Sequence, residues 1–446
     1  MTKLVSMKEG SIVKNIILFT LPILLGNLFQ IFYNTVDSSI VGRYVGYGAL
    51  AAVGASTPLI NFLVGLFMGI ATGASVLVSR YFGAGKKEEL SVVVHTFIKF
   101  TLIFGVFMTF IGVFSSAYLL AAFNTPADII QDATIYLQVY FAGIMALMLY
   151  NVGAGILRAI GDSKRPLYFL MLSSIINIIL DLVFVVNFNM GVLGVAIATL
   201  IAQTVSTILV AIVLMKENDF CVVKVNKLVI DKVMLKQIMA IGLPAGLQQS
   251  IVSLSNLMVQ GYINSFGSYA IAGYSAGSKL DSFLVLPINS LALTMTTFVG
   301  QNSGANNPKR ATKGINYSLI IMTICVLFIG YFAYTNLDFF IGLFNDDPDV
   351  VKYGVMKMQT LIPFYVILGI NQILIGGIRG FGVTKIPVII NIFAFCIVRQ
   401  AYLYISFNLF KDIYFVFYSY AFTWIISAIL IVCYYYIERK RIINHV

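Results

Sequence analysis

About eighteen mostly apolar residues in a row suffice to cross a bilayer, and such runs recur from one end of this chain to the other. Twelve are expected, roughly at 12–42, 49–80, 92–122, 131–157, 166–188 and 192–215, then at 237–264, 270–301, 314–337, 353–379, 387–409 and 412–437. Only 11% of the residues are charged, where soluble domains carry about 25%. The pattern predicts an all-α integral membrane protein with nothing left over for a soluble domain. The first run is too long, and too interrupted by Pro22 and Asn27, to read as a cleavable leader.

The net charge of +11 raises the question of nucleic acid, but the basic residues sit in short loops between apolar runs. With both termini in the cytoplasm, 22 of the 29 Lys and Arg residues fall on the cytoplasmic side. Arg43, Lys352, Lys357 and Lys411 are left outside, and Lys99, Lys279 and Arg399 fall inside runs. That asymmetry sets a topology and argues for no nucleic-acid partner.

The longest cytoplasmic connection divides the chain into an N-terminal six-helix bundle (1–215), a linker (216–236) and a C-terminal six-helix bundle (237–446). The halves repeat one another. FNTPADIIQDATIYLQ at 123–138 aligns with FNDDPDVVKYGVMKMQ at 344–359, RAIGDSKRP at 158–166 with RGFGVTKIP at 379–387, and RYFGAG at 80–85 with QNSGAN at 301–306, all at an offset of 221. The Leu-Pro pairs at 21–22 and 243–244 are offset by 222. An even number of spans per half predicts a parallel repeat about an axis along the membrane normal, with a central cleft suited to alternating access.

A carboxylate inside a membrane span is a functional hypothesis by default. The first span carries Asn27, Gln30, Asn34 and Asp37 at helical spacing, behind a helix-bending Pro22. The fifth carries Ser173, Asn177 and Asp181, and the sixth Thr199 and Gln203. Asp181 and Thr199 each lie about seven residues, or ~10 Å, from the outer ends of their spans, and Asp37 is nearly as deep. Two acids, an amide and a hydroxyl therefore share one layer. Such a layer suits a proton, because paired carboxylates split their titrations, or a hard cation such as Na+. A merely structural role for each acid leaves their common depth unexplained.

The C-terminal half is expected to lack this layer. Its first span presents a neutral stripe of Gln249, Ser253, Asn256 and Gln260, and its fourth has Asn371 and Gln372. Lys279 and Asp281 read as a structural pair. The fourth span carries Asn151 with Met145, Met148 and Tyr150, and Tyr33, Met145, Met148 and Phe298 are candidates for a soft, adaptable pocket. Cys221, Cys325, Cys396 and Cys433 show no paired spacing and read as packing residues. GAGK at 83–86 lacks P-loop spacing, and His95 and His445 suggest no site.

VDSSIVGRYVG, RYFGAG, RAIGDSKRP, NIILD, GLP and GQNSGA resemble the multidrug and toxic compound extrusion (MATE) family, and the first-helix Asp with the fifth-helix Asn and Asp resembles its DinF-like bacterial and archaeal branch. The resemblance covers nearly the whole chain. It implies drug/cation antiport, with a cation-coupling site at Asp37, Asn177, Asp181, Thr199 and Asn151, and a first-helix bend at Pro22. The acids that the NorM-like branch carries on the seventh and tenth helices are replaced by Gln248, Gln249 and Asn371.

The expected function is export of amphipathic organic cations from the cell across its inner or plasma membrane, coupled to H+ and/or Na+. Gln30, Tyr33, Asn34, Met145, Met148, Gln203, Gln249, Ser253, Asn256 and Gln260 are the expected cavity residues. Asp37, Asn177, Asp181 and Thr199 are the expected oxygen ligands if the ion is Na+. No other cofactor is implied, and one chain suffices as a monomer in the lipid bilayer. The alternative is a flippase for a lipid-linked precursor, disfavoured by the acidic stripe and the few in-span cations. A membrane enzyme lacks a metal cluster or nucleophile motif, and a non-transporting receptor leaves the repeat with buried acids unexplained.

Overall fold

The computed structural model describes residues 6–122, 125–216 and 222–444. Lys3, Cys221, His445 and the first two residues of the repeat segment at 123–138 lie outside the described residues. Among the described residues twelve helices are long and apolar enough to cross a membrane: α1 (Ile12–Val45), α2 (Ala51–Gly83), α3 (Lys87–Ala122), α4 (Ile130–Ala159), α5 (Lys164–Asn187), α6 (Gly191–Lys216), α7 (Lys232–Asn264), α8 (Ser268–Gly304), α9 (Pro308–Thr335), α10 (Pro348–Gly380), α11 (Lys385–Phe410) and α12 (Ile413–Arg441). This is an all-α, multi-pass membrane fold. Large aromatics face outward, with Phe114 81% and Phe328 76% exposed, while Ser, Thr, Asn and Asp side chains are buried. A bilayer accepts that inversion and water does not.

The spans match the expected runs, with helix starts extended by capping. α9 begins at Pro308, where the Asn307 side chain accepts the Arg310 N–H at 3.0 Å and proline takes the first turn. Hydropathy alone misses that turn because it is basic. Asp347 caps α10 in the same way, accepting from the N–H groups of Asp349 and Val350. Lys357, counted with the outside residues although the expected run 353–379 contains it, belongs to the span. It lies inside α10 and is 2% exposed.

The contacts divide the described chain into two compact units. Unit 1 holds residues 21–246 and unit 2 holds residues 6–20 with 247–446. The first turns of α1 thus belong with the second half, and the first turns of α7 with the first. Both attachments have a local cause. In unit 1, Gly69 and Gly73 of α2 face Gly242 and Gly246 of α7, and a Cβ on Gly69 would stand 2.0 Å from the Gly246 nitrogen. Only paired small residues at four-residue spacing allow helices that close. In unit 2, Thr20 bonds Thr294 at 2.8 Å, and the Met7 carbonyl accepts from Asn302 at 3.0 Å and Arg310 at 3.1 Å. Pro22 and Pro244 sit within three residues of the points where each helix changes unit.

His95, which suggested no site, has two partners. Its Nδ1 lies 2.8 Å from the Ser91 carbonyl, and its Nε2 accepts the Lys224 N–H at 3.0 Å. Thr96 accepts the Asp231 N–H at 3.1 Å. These bonds fasten the linker before α7 onto α3 within unit 1.

Candidate functional site

In unit 1 the acids of α1 and α5 meet. Asp37 is one turn ahead of a π-helical turn at Val41–Val45, and Asp181 immediately precedes another at Leu182–Asn187. A π turn inserts an extra residue into the helical repeat, re-aims the side chains beside it and recurs at functional sites. Asp181 is fully buried, Asn177 is 2% exposed, and Asp37 and Thr199 are half-buried. The Asp37 and Asp181 carboxyl groups lie within hydrogen-bonding reach of one another. The Asn177 amide donates to Thr199 Oγ1 at 3.5 Å.

The donor count around these groups does not balance. An ionised carboxylate only accepts hydrogen bonds, so two facing carboxylates satisfy neither partner. Asp37 Oδ1, Asn177 Oδ1 and both Asp181 oxygens are buried without a hydrogen-bond partner. Leaving one such atom unsatisfied costs roughly 1–3 kcal/mol, and more when it is charged. A proton placed between the carboxyl groups converts one into a donor. A hard cation uses the same oxygens as ligands.

Two tyrosines complete the surroundings. The Tyr33 hydroxyl bonds Gln30 and lies within electrostatic reach of both acids. Tyr136 of α4 is also within electrostatic reach of both acids and is 8% exposed. Sequence reasoning missed Tyr136; its only signal is the i,i+4 pair with Tyr140, whose ring centroid is 6.5 Å away. Gln30 and Asn34 are exposed on α1, and Pro22 is buried. Gln203 is half-buried on α6, one turn from Thr199.

Asn151 is not brought to the acids by any hydrogen bond among the described residues. Its amide donates to Leu147 O at 2.9 Å, and it lines a small apolar cavity with Phe67, Phe104 and Met148. Met148 is 3% exposed and belongs to the unit 1 core, and Met145 packs against Gly105 of α3.

Unit 2 is built with the opposite sign. Arg399 of α11 is 1% exposed and directly follows a π turn at Phe393–Val398. It donates to Asn256 Oδ1 at 2.9 Å and to Thr423 Oγ1 at 3.0 Å, between the rings of Phe395 and Tyr420 at 4.8 and 4.6 Å. No carboxylate pairs with it among the described residues. The Tyr420 hydroxyl bonds that of Tyr274 at 2.8 Å, and Lys357 lies 4.0 Å over the Tyr274 ring, donating to Ser278 at 2.5 Å. Lys279 and Asp281 do not form the expected pair. Asp281 accepts from the Tyr365 hydroxyl, and Lys279 lies 5.5 Å from the Phe344 ring centroid. Of the neutral stripe, Asn256 holds Arg399, Gln260 bonds Asn264 at 3.0 Å, Ser253 donates to the Gln249 carbonyl at 3.0 Å, and Gln249 is exposed.

Comparison with known proteins gives this geometry a register. The MatE family model matches residues 22–183 and again 244–405, so the two matches both begin and end 222 residues apart, while the repeated segments between those ends align at 221. At the offset of 222 Asn34 corresponds to Asn256, Asn177 to Arg399, Asp37 to Val259 and Asp181 to Leu403. Val259 and Leu403 belong to one buried apolar cluster. The chain is 31% identical over 405 residues to "Probable multidrug resistance protein YoeA" of Bacillus subtilis (strain 168), covering 88% of this chain and 86% of that one. It is 28% identical over 398 residues to "Probable multidrug resistance protein YpnP" of the same organism, covering 88% of each. A solved structure described as "Crystal structure of MATE in the bent conformation" superposes with a TM-score of 0.93 at 24% identity, covering 100% of this chain and 99% of that one. With both halves matched by the family model and the whole fold shared, the chain belongs to the MATE family of membrane transporters.

Proposed function

We propose that this protein is a secondary active exporter of amphipathic organic cations, driven by antiport of H+ or Na+ through alternating access. The observation that carries the proposal is the set of four buried, partnerless oxygens on Asp37, Asn177 and Asp181. A site that leaves so many acceptors unmet is relieved by whatever positive particle enters it. The names of the B. subtilis relatives support the export of drugs.

In the proposed cycle, H+ or Na+ enters between the Asp37 and Asp181 carboxyl groups. The ion removes the repulsion between them and draws the last turns of α1 against α5. Thr199 and Asn177 supply the neutral oxygens of the site. Asn151 and Gln203 belong to its wider surroundings, and Tyr33, Gln30 and Asn34 form the adjoining substrate wall. α1 transmits the change because Pro22 removes one of its backbone hydrogen bonds where the helix passes from unit 1 to unit 2. An ion shifts the two access states only by binding them unequally, and a bendable α1 makes the distance between the acids differ between states. The bundles 1–215 and 237–446, joined by the linker 216–236, act as the two repeats. The chain works as a monomer in the cell membrane with both termini cytoplasmic. The acidic layer of unit 1 favours cationic cargo over the phosphates of a lipid-linked precursor.

The test is efflux of a fluorescent organic cation from proteoliposomes, with H+ and Na+ gradients imposed separately. One gradient drives efflux through the wild type, and Asp37→Asn abolishes that drive. Export at the wild-type rate by Asp37→Asn removes the site from the account. Absence of flux under either gradient removes the organic-cation assignment.

A further inference from the structure

On unit 2 the outward faces of α9, α10 and α12 enclose a groove of about 410 Å³ that the transport site does not use. Its walls include Ile320, Ile324, Leu374 and Val432, and Ile320 and Ile324 are 56% and 63% exposed. Along α9 it runs from Asn316 to Ile324, about 12 Å at 1.5 Å per residue. Its polarity is graded. Asn316 and Arg439 lie toward the membrane face that carries the start of α9 and the end of α12, and the isoleucines and Leu374 lie deeper.

Two groups in the groove have unmet chemistry. Tyr435 is 5% exposed, lines the groove, and its hydroxyl has no hydrogen-bond partner. Arg439, one turn further along α12, is half-buried, within electrostatic reach of that hydroxyl, and in no ion pair among the described residues. A buried O–H at membrane depth has no water to turn to, so an acceptor from the ligand is needed to satisfy it.

We infer that this groove is a binding site for an anionic phospholipid, with an acyl chain along α9 and the phosphate at Arg439 and the Tyr435 hydroxyl. The chain alone confers no preference, because hydrocarbon is as apolar as the groove wall. Selection comes from the head. The guanidinium supplies parallel N–H donors to phosphate oxygens and the tyrosine adds a third. A zwitterionic lipid brings its own cation to the same place and loses the net attraction. Basic pockets between membrane helices bind acidic headgroups for this reason.

The test counts lipids on the purified full chain by native mass spectrometry, after exposure to phosphatidylglycerol or phosphatidylcholine with identical acyl chains. The wild type retains about fivefold more phosphatidylglycerol, the factor expected for one interfacial cation. Arg439→Gln brings the ratio near one, and Tyr435→Phe, which keeps the ring, lowers phosphatidylglycerol retention. Lys440→Gln removes an exposed charge that does not line the groove and leaves the ratio unchanged. Leu374→Trp fills the groove and lowers retention of both lipids. Thermal unfolding of each variant in detergent confirms that it is folded. Equal retention of the two lipids by wild type overturns the site, as does a loss in Lys440→Gln as large as that in Arg439→Gln. Retention of neither lipid, with detergent alone in the groove, overturns it as well.

Discussion

The two units share one family pattern and differ most where the chemistry lies. In unit 1, Asp37 and Asp181 face each other with unmet oxygens. In unit 2 the same register holds Val259 and Leu403 in one apolar cluster, and Arg399 where unit 1 has Asn177. Each unit has a π turn on this helix, after Asp181 at Leu182–Asn187 and before Arg399 at Phe393–Val398, so the two turns fall at different places in the repeat. The units thus differ both in where the helix is re-aimed and in their ionisable side chains. Unit 1 needs a positive charge from solution. Unit 2 carries its own, held by Asn256, Thr423 and two aromatic faces. The difference sets unmet acceptors in unit 1 against a buried cation with neutral partners in unit 2, and on the proposed function ion exchange belongs to unit 1.

Exchanging residues between the units is the way to break that comparison. The largest effect is expected from Asp181→Leu, which installs the residue of unit 2. Ion-driven flux falls at least about 100-fold, the value of a lost charged interaction of nearly 3 kcal/mol. The melting temperature holds or rises, because two unsatisfied buried oxygens are removed. Flux and thermal unfolding measured on one preparation check both halves of this statement.

The reverse exchange, Leu403→Asp, buries a carboxylate in the apolar cluster and is expected to destabilise by about 2–3 kcal/mol. Arg399 is one turn away on the same helix and limits the loss by pairing with it. Arg399→Lys keeps the charge but loses the planar contact with Phe395 and Tyr420 and the two-sided donation to Asn256 and Thr423. A cost of about 1–2 kcal/mol is expected, with the ion dependence of flux unchanged. A change in which ion drives flux in this variant would place coupling in unit 2 as well.

The smallest effect concerns Asp162, which aligns with Val383 of the second repeat. Burial pushes its carboxyl above the usual carboxylate range, partly offset by the Arg165 and Lys164 N–H groups it accepts from at 3.1 and 3.2 Å. A raised carboxylate pKa means that the folded chain holds the proton to higher pH than the unfolded one. The contribution of Asp162 is therefore greatest at low pH and declines as pH rises through the folded value. Asp162→Asn keeps an acceptor for the helix start and flattens that decline by less than about 1 kcal/mol, measured as melting temperature against pH.

Much of this was legible in the sequence because helical periodicity and membrane depth are linear quantities. They predicted the twelve spans, the repeat, and the approach of Asp37 to Asp181 and of Asn177 to Thr199. What remained hidden depended on which neighbour a helix face meets. Gly69, Gly73, Gly242 and Gly246 look like ordinary glycines until α2 and the start of α7 are brought together. Lys357 read as an outside residue from its charge alone, because its partners, Ser278 and the Tyr274 ring, come from another helix. Periodicity put Asn151 and Met148 on the fourth span without saying what they face: Met148 belongs to the unit 1 core, and Asn151 lines a small cavity beside it. His95 finds a hydrogen-bond donor in the Lys224 N–H, in the linker far along the chain.

The central claim is that the exchangeable ion binds in unit 1 alone. Its most direct test is the number of coupling ions bound per chain, from acid–base and NaCl titrations of purified protein in weakly buffered solution with a pH indicator. The account predicts about one equivalent held by the carboxyl pair in wild type, as expected for two acids sharing one positive charge. Asp181→Asn loses that equivalent and Arg399→Gln retains it. An equivalent that survives Asp181→Asn, or one that disappears with Arg399→Gln while the fold is intact, contradicts the claim.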